Sequence, residues 1–296
     1  MAELRAYRLK EGEPFRDEIA RVARGRIDNA IDELRGKTDS TPVEAVHEAR
    51  KDMKKLRALL RLARDELGKE TFARENACFR DAARELAGPR DSDVMLATLG
   101  ALELPAGLGR ELRKVIQDAR EGSGLGDRDA AAGNAVAILK EARGRVDDWP
   151  LERDAFEALA GGLERTYRRG RGALKAARAD PSDDALHEWR KRVKELWYHH
   201  TLLRSLWPAV MSAAGDEAHA LSDRLGDDHD LAVLSAWLSE HAGPPPEFFE
   251  AVEQRRAELQ TEALALGARM YAEKPSAFVR RLGGLWRASP SKVRAP

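Results

Sequence analysis

Two histidines in this chain head closely matched runs of cations. His47-Glu48-Ala49-Arg50-Lys51-Asp52-Met53-Lys54-Lys55-Leu56 is answered 140 residues later by His187-Glu188-Trp189-Arg190-Lys191-Arg192-Val193-Lys194-Glu195-Leu196. On a helix turning about 100° per residue, Arg50, Lys51, Lys54, Arg57 and Arg61 share the face of His47, with Met53, Leu56, Leu59, Leu60 and Ala63 opposite. The second run puts Arg190, Lys191, Lys194 and Tyr198 beside His187 and turns Leu186, Trp189, Val193, Leu196 and Leu203 inward. Residues 47–64 carry seven basic and two acidic side chains, a local balance of +5. Such a row of like charges weakens an isolated helix by a few tenths of a kcal/mol per pair, so neighbouring acids or a bound anion must offset it. A lone phosphate needs only two or three donors. Two facing stripes, the first about 21 Å long, suit a linear polyanion held by charge-assisted hydrogen bonds. A solvated face is the ordinary meaning of a charged helix, but duplication of the run with its histidine in place argues against it here.

Other candidate groups are read as structural. His199 and His200 point about 100° apart on a helix, which does not suit a metal pair, and His200 falls in the apolar arc. Asp227-Asp228-His229-Asp230 and Asp91 with Asp93 sit where helices are expected to start, so capping is favoured over a metal phosphohydrolase cluster. Asp52 and Arg192 occupy matching repeat positions inside the apolar arcs, and their meeting as an ion pair is the expectation. No Gly-rich phosphate loop or general base accompanies the histidines. No catalytic residue, cofactor or metal site is assigned.

The elements that must position these groups follow from the 3.6-residue period and its breakers. Helices are predicted at about 15–35, 41–67, 70–87, 91–100, 107–121, 129–146, 152–178, 183–206, 208–226, 230–241, 245–272 and 275–286, with Gly36, Gly68, Gly88-Pro89 and Trp207-Pro208 among the stops. Arg24-Gly25-Arg26 aligns with Arg169-Gly170-Arg171, the histidine blocks follow, and Leu86 through Arg90-Asp91 to Val94 aligns with Leu225 through His229-Asp230 to Val233, at offsets of 145, 140 and 139. Three ordered blocks at nearly constant offset indicate an internal duplication. The reading is one all-α bundle, 1–296, of two repeats, 1–146 and 151–296, packed about a pseudo-two-fold axis with a basic central cleft.

The bulk numbers set limits. Fifty-one Lys and Arg balance fifty-one Asp and Glu, so the overall field gives no case for a basic nucleic-acid domain, and any anion site must come from local segregation. Aromatics make up only 6% of the chain, which leaves little for base stacking. A single cysteine, Cys78, excludes an intramolecular disulfide, and neither an apolar leader nor a membrane-length apolar stretch is present, so a cytoplasmic location is expected.

The chain resembles the CHAD family, the conserved histidine α-helical domain. Its signature is matched by His47, Arg50, Lys54, Lys55, Leu56 and Arg57, and in the second copy by His187, Arg190, Lys191, Lys194, Leu196 and Tyr198. Tyr7-Arg8-Leu9 with Gly12-Glu13, the Arg-Gly-Arg blocks, Arg90-Asp91 and the stretch from Pro275 to Trp286 extend the resemblance along nearly the whole chain. Glu195 and Trp197 depart from it, standing where the family usually has basic residues. The resemblance implies a symmetric helical bundle binding inorganic polyphosphate in a basic groove, at polyphosphate granules, without catalysis. The site then comprises His47, Arg50, Lys51, Lys54, Arg57, His187, Arg190, Lys191, Lys194 and Tyr198, with Arg24, Arg26, Arg90, Arg169 and Arg171. The alternatives are a metal-dependent phosphohydrolase or phosphotransferase acting on polyphosphate, and a helical scaffold binding nucleic acid or an acidic protein.

Overall fold

The computed structural model describes residues 5–10, 13–86, 91–122, 128–153 and 156–288. These residues form α1 (Phe15–Leu34), α2 (Pro42–Leu62), α3 (Arg64–Glu85), α4 (Asp91–Gly100), α5 (Ala106–Gly122), α6 (Arg128–Arg145), α7 (Glu157–Ala179), α8 (Asp183–Leu202), α9 (Pro208–His241), α10 (Pro246–Met270) and α11 (Pro275–Arg287). No strand occurs among the described residues, and no helix there is long and apolar enough to cross a membrane. Arg90, one of the expected site residues, lies outside the described residues.

Most breaks fall where the turn residues put them. Thr41 caps α2 with its side chain accepting from the Glu44 N–H, while the Glu44 carboxylate accepts from the Thr41 N–H at 2.8 Å, and Pro42 opens the first turn. Two boundaries differ from expectation. The helix of His47 ends at Leu62, and Gly68, at φ 70°, instead kinks α3. The expected break at 226–230 is absent, because α9 runs unbroken through Asp227-Asp228-His229-Asp230. Asp228 is not a cap. It is buried in mid-helix, where its carboxylate accepts from Arg256 at 2.9 Å and Gln260 at 2.8 Å, both on α10.

Periodicity then decides what is buried. Met53, Leu56, Leu59 and Leu60 of α2, Ala63 just after it, and Leu186, Trp189, Val193, Leu196 and Leu203 of the second copy all lie in one core. That core takes side chains from both repeats, from Phe15 and Ile27 to Tyr167 and Phe278. Each such buried side chain contributes about 1.5–3 kcal/mol. A second cluster joins Met95, Leu99, Leu112 and Ile116 of α4 and α5 to Leu231, Leu234, Leu238, Phe248, Val252 and Leu259 of α9 and α10, so the α4–α5 pair of the first repeat rests on the second.

Close approach between the repeats needs a glycine. A Cβ at Gly162 of α7 would lie 2.1 Å from the carbonyl oxygen of Leu62 and 2.7 Å from its Cα, a clash with backbone that no side-chain movement relieves. α2 and α8 also touch: the His199 Nε2–H donates to the Ala58 carbonyl at 3.0 Å, and in the repeat alignment His199 corresponds to Leu59. The N-terminal segment straps both helices, with the Tyr7 hydroxyl donating to the Lys55 carbonyl at 3.1 Å and the Leu9 N–H to the Leu202 carbonyl at 2.9 Å.

Candidate polyanion-binding site

Both histidine-headed helices arrange their first turns alike. Lys51 pairs with Glu48 at 2.8 Å and Lys191 with Glu188 at 2.5 Å, so the residue after each histidine partly offsets the lysine one turn on. The arginine three residues after each histidine reaches for the following element. Arg50 donates to the Leu86 carbonyl at 3.1 Å, at the end of α3. Arg190 lies over the backbone of α9 at Gly226, where a Cβ would come 2.7 Å from its Nη2. Leu86 aligns with Leu225, so the two arginines meet nearly equivalent points of the repeat.

One turn further the copies carry the same ion pair with reversed polarity. In α2 Asp52 accepts from Lys55 at 3.3 Å, and in α8 Glu195 accepts from Arg192 at 2.8 Å. Asp52 also accepts from Arg26 at 3.0 Å and Asn29 at 2.7 Å, both on α1. Arg192 also donates to Glu188 through Nε at 2.7 Å. The expected Asp52–Arg192 pair therefore does not form, each group being satisfied within its own repeat. Between α2 and α8, Arg61 instead pairs with Glu195, at 3.2 Å. Glu195, the departure noted in the sequence, is a buried carboxylate holding two arginines.

Around that link the cations outnumber the acids. Arg57 donates through Nε to Asn76 of α3 at 3.1 Å. Burial, then Arg61, Arg80 and Arg84 push the Arg57 guanidinium down to about 10, against the opposing pull of Glu195. Arg61 is likewise lowered by burial first, with Arg192 and Arg169 acting in the same direction and Glu195 against them. Arg80 and Arg84 share the single carboxylate of Asp81, at 2.9 and 3.4 Å. The cluster thus draws on α2, α3, α7 and α8, and an added anion beside it would offset the mutual repulsion of its guanidinium groups.

The structure distributes the expected site residues unevenly. His47, Arg50, Lys51, Lys54 and Arg57 lie along α2, and His187, Arg190, Lys191 and Lys194 along α8. Arg169 is exposed near Arg61. Arg24 stands apart: it pairs with Asp147 and lines a cavity of about 350 Å³ with Trp149 and Pro150. Arg26 is occupied by Asp52 and the Arg5 carbonyl, and Arg171 by the Glu273 carbonyl at 2.7 Å. Tyr198 is a core residue, its ring buried against Trp197 and Tyr7 and facing the acids Asp52 and Glu48 rather than a row of cations. The partners of these four come from other segments of the chain, which the wheel, ordering residues around one helix, cannot show.

Sequence reasoning did not single out Arg80 and Arg84, which lie outside the three aligned blocks. It also left His229 as a capping neighbour, although its alignment with Arg90 was the available signal. The His229 ring lies against His187, with centroids 4.5 Å apart. His199 and His200 are structural as read. Both are buried, and burial, then His199 and Arg281, push His200 down to about 3.

Comparison with known proteins agrees with this architecture. No curated protein matches the chain. Among solved structures, the chain is similar to the crystal structure of the CHAD domain from the plant Ricinus communis, with a TM-score of 0.62 and 19% identity over 90% of this chain and 94% of that one. At that identity the likeness establishes the fold. The family model for the CHAD domain matches residues 19–239, most of the chain, and the protein belongs to the CHAD domain family.

Proposed function

We propose that this protein binds inorganic polyphosphate along the α2 and α8 basic faces and does not turn it over. The observation that carries the reading is the excess of arginine around Arg57, a guanidinium lowered to about 10 by burial first and then by Arg61, with Arg80 and Arg84 adding to it against the pull of Glu195. Repulsion of that kind is retained at a cost to stability, and a ligand with a charge on every unit removes it. The zero net charge of the chain favours a ligand recognised locally over one drawn in by a general field. Few aromatics lie along the stripes, which favours a polymer without bases. A protein of this kind would be found with polyphosphate granules in the cytoplasm by virtue of its ligand.

The test is a titration with long-chain polyphosphate at physiological salt, comparing wild type with a variant carrying Lys54, Arg57, Arg190 and Lys194 as Ala, and following phosphate release with and without Mg²⁺. Tight binding lost in the variant, outcompeting duplex DNA and without release, is the expected result. Metal-dependent release would replace the binding reading with an enzymatic one, and equal binding by both proteins would put the site on another face.

A further inference from the structure

The second repeat separates its charges. α9 and α10 together carry twelve acidic and four basic residues, a balance of −8, whereas α7 and α11 carry nine basic and two acidic, a balance of +7. The chain as a whole is neutral. α11 packs on α7, and α8 packs against both α7 and α9, so the basic pair and the acidic α9 lie on different sides of α8.

Both faces are built from side chains that the fold leaves open. On α9, Asp216, Asp223, Asp227 and Asp230 fall within about 60° of one another and span about 21 Å. Burial first, then Asp223 and Asp230, hold Asp227 above the usual carboxylate range. Asp216, Glu217 and Asp227, with Glu247, Glu250 and Glu253 of α10, are exposed and make no ion pair among the described residues. The same holds on the basic side for Lys175 of α7 and for Arg280 and Arg287 of α11. Apolar groups also reach the surface along α9, where Trp207 at the N-cap, Val210 and Val233 are exposed. Like charges at helical spacing repel, and a surface of the opposite sign offsets that while covering the apolar groups between.

We infer that this chain associates head to tail with a second copy of itself, the acidic face of α9 and α10 on one molecule meeting the basic face of α7 and α11 on the next. The two faces are nearly equal and opposite in charge, and the zero net charge lets copies approach without long-range repulsion. Because the faces differ, the contact is heterologous, and each molecule added leaves one face of each kind open for another. Attraction of this kind is screened over about 30 Å in 0.01 M salt and about 8 Å in 0.15 M, so the association is salt-sensitive. It is independent of the ligand proposed for α2 and α8.

Sedimentation velocity on the full chain, without polyphosphate and over a range of protein concentrations, tests this at about 0.01 M and about 1 M salt. One variant neutralises the acidic face with Asp216→Asn, Asp227→Asn, Glu250→Gln and Glu253→Gln, and another the basic face with Lys175→Gln, Arg280→Gln and Arg287→Gln. Wild type should sediment faster as its concentration rises in low salt and as a monomer in high salt. Each variant alone should associate about tenfold more weakly. An equal mixture of the two should recover association and stop at a dimer, since each supplies the face that the other lacks. If a variant folds poorly, the salt response of the wild type decides. A wild type that stays monomeric in low salt overturns the inference, even if its acidic face takes up oligolysine, and so does association that neither variant weakens. Because no polyphosphate is present, none of these outcomes bears on the polyphosphate reading.

Discussion

Replacing Glu195 with Gln should separate stability from binding. Glu195 holds Arg192 at 2.8 Å and Arg61 at 3.2 Å, with side-chain exposures of 8% for the acid and 10% and 20% for the arginines. Removing one partner of a buried pair costs about 3–5 kcal/mol when the other charge is left alone. Arg192 keeps Glu188, and Arg61 is partly in water, so the loss here should be about 2–3 kcal/mol. For 296 residues that is a fall of about 3–5 °C in Tm. Polyphosphate affinity should move the other way. Removing a negative charge from this cluster strengthens its attraction for a polyanion, and about 1 kcal/mol of such a gain is roughly fivefold in affinity. Thermal melts and titrations on the same samples check both. A variant that melts like wild type, or that loses affinity along with stability, would refute the role of Glu195 as the internal counter-ion of this cluster.

Arg57→Ala should weaken polyphosphate binding roughly fivefold and flatten the salt dependence by about 0.7 in log–log slope, with Tm unchanged or raised because a crowded charge is removed. Arg24→Ala should leave binding unchanged in the same titration, since Arg24 is engaged with Asp147. Because His200 is lowered to about 3 in the folded state, the unfolded state binds the extra proton, so stability is complete above about pH 6.5 and is lost as pH falls towards 3. Denaturant melts should show about 1.4 kcal/mol lost per pH unit below that point from this residue, and His200→Leu should flatten the profile. Gly162→Ala should destabilise by about 1–3 kcal/mol, measured in the same melts, because its Cβ meets the Leu62 backbone.

Period, punctuation and repetition were legible in the chain itself. The apolar arcs of α2 and α8 predicted which of their residues are buried, and Thr41-Pro42 marked a helix start because its capping chemistry is local. The two histidine helices could be paired by alignment alone. Tertiary structure decided the rest. Asp228 reads as a cap until Arg256 and Gln260 arrive from α10 and let α9 continue. Asp52 and Arg192 look like partners until Arg26 and Glu195 are seen to reach them first. Arg24 and Tyr198 share motifs with the other expected site residues, and the structure places them in an ion pair and in the core. Helical periodicity is a property of neighbours three and four residues apart, so it can assign a face, whereas a charge is neutralised by whichever group packs within a few ångströms, and that group comes from another helix.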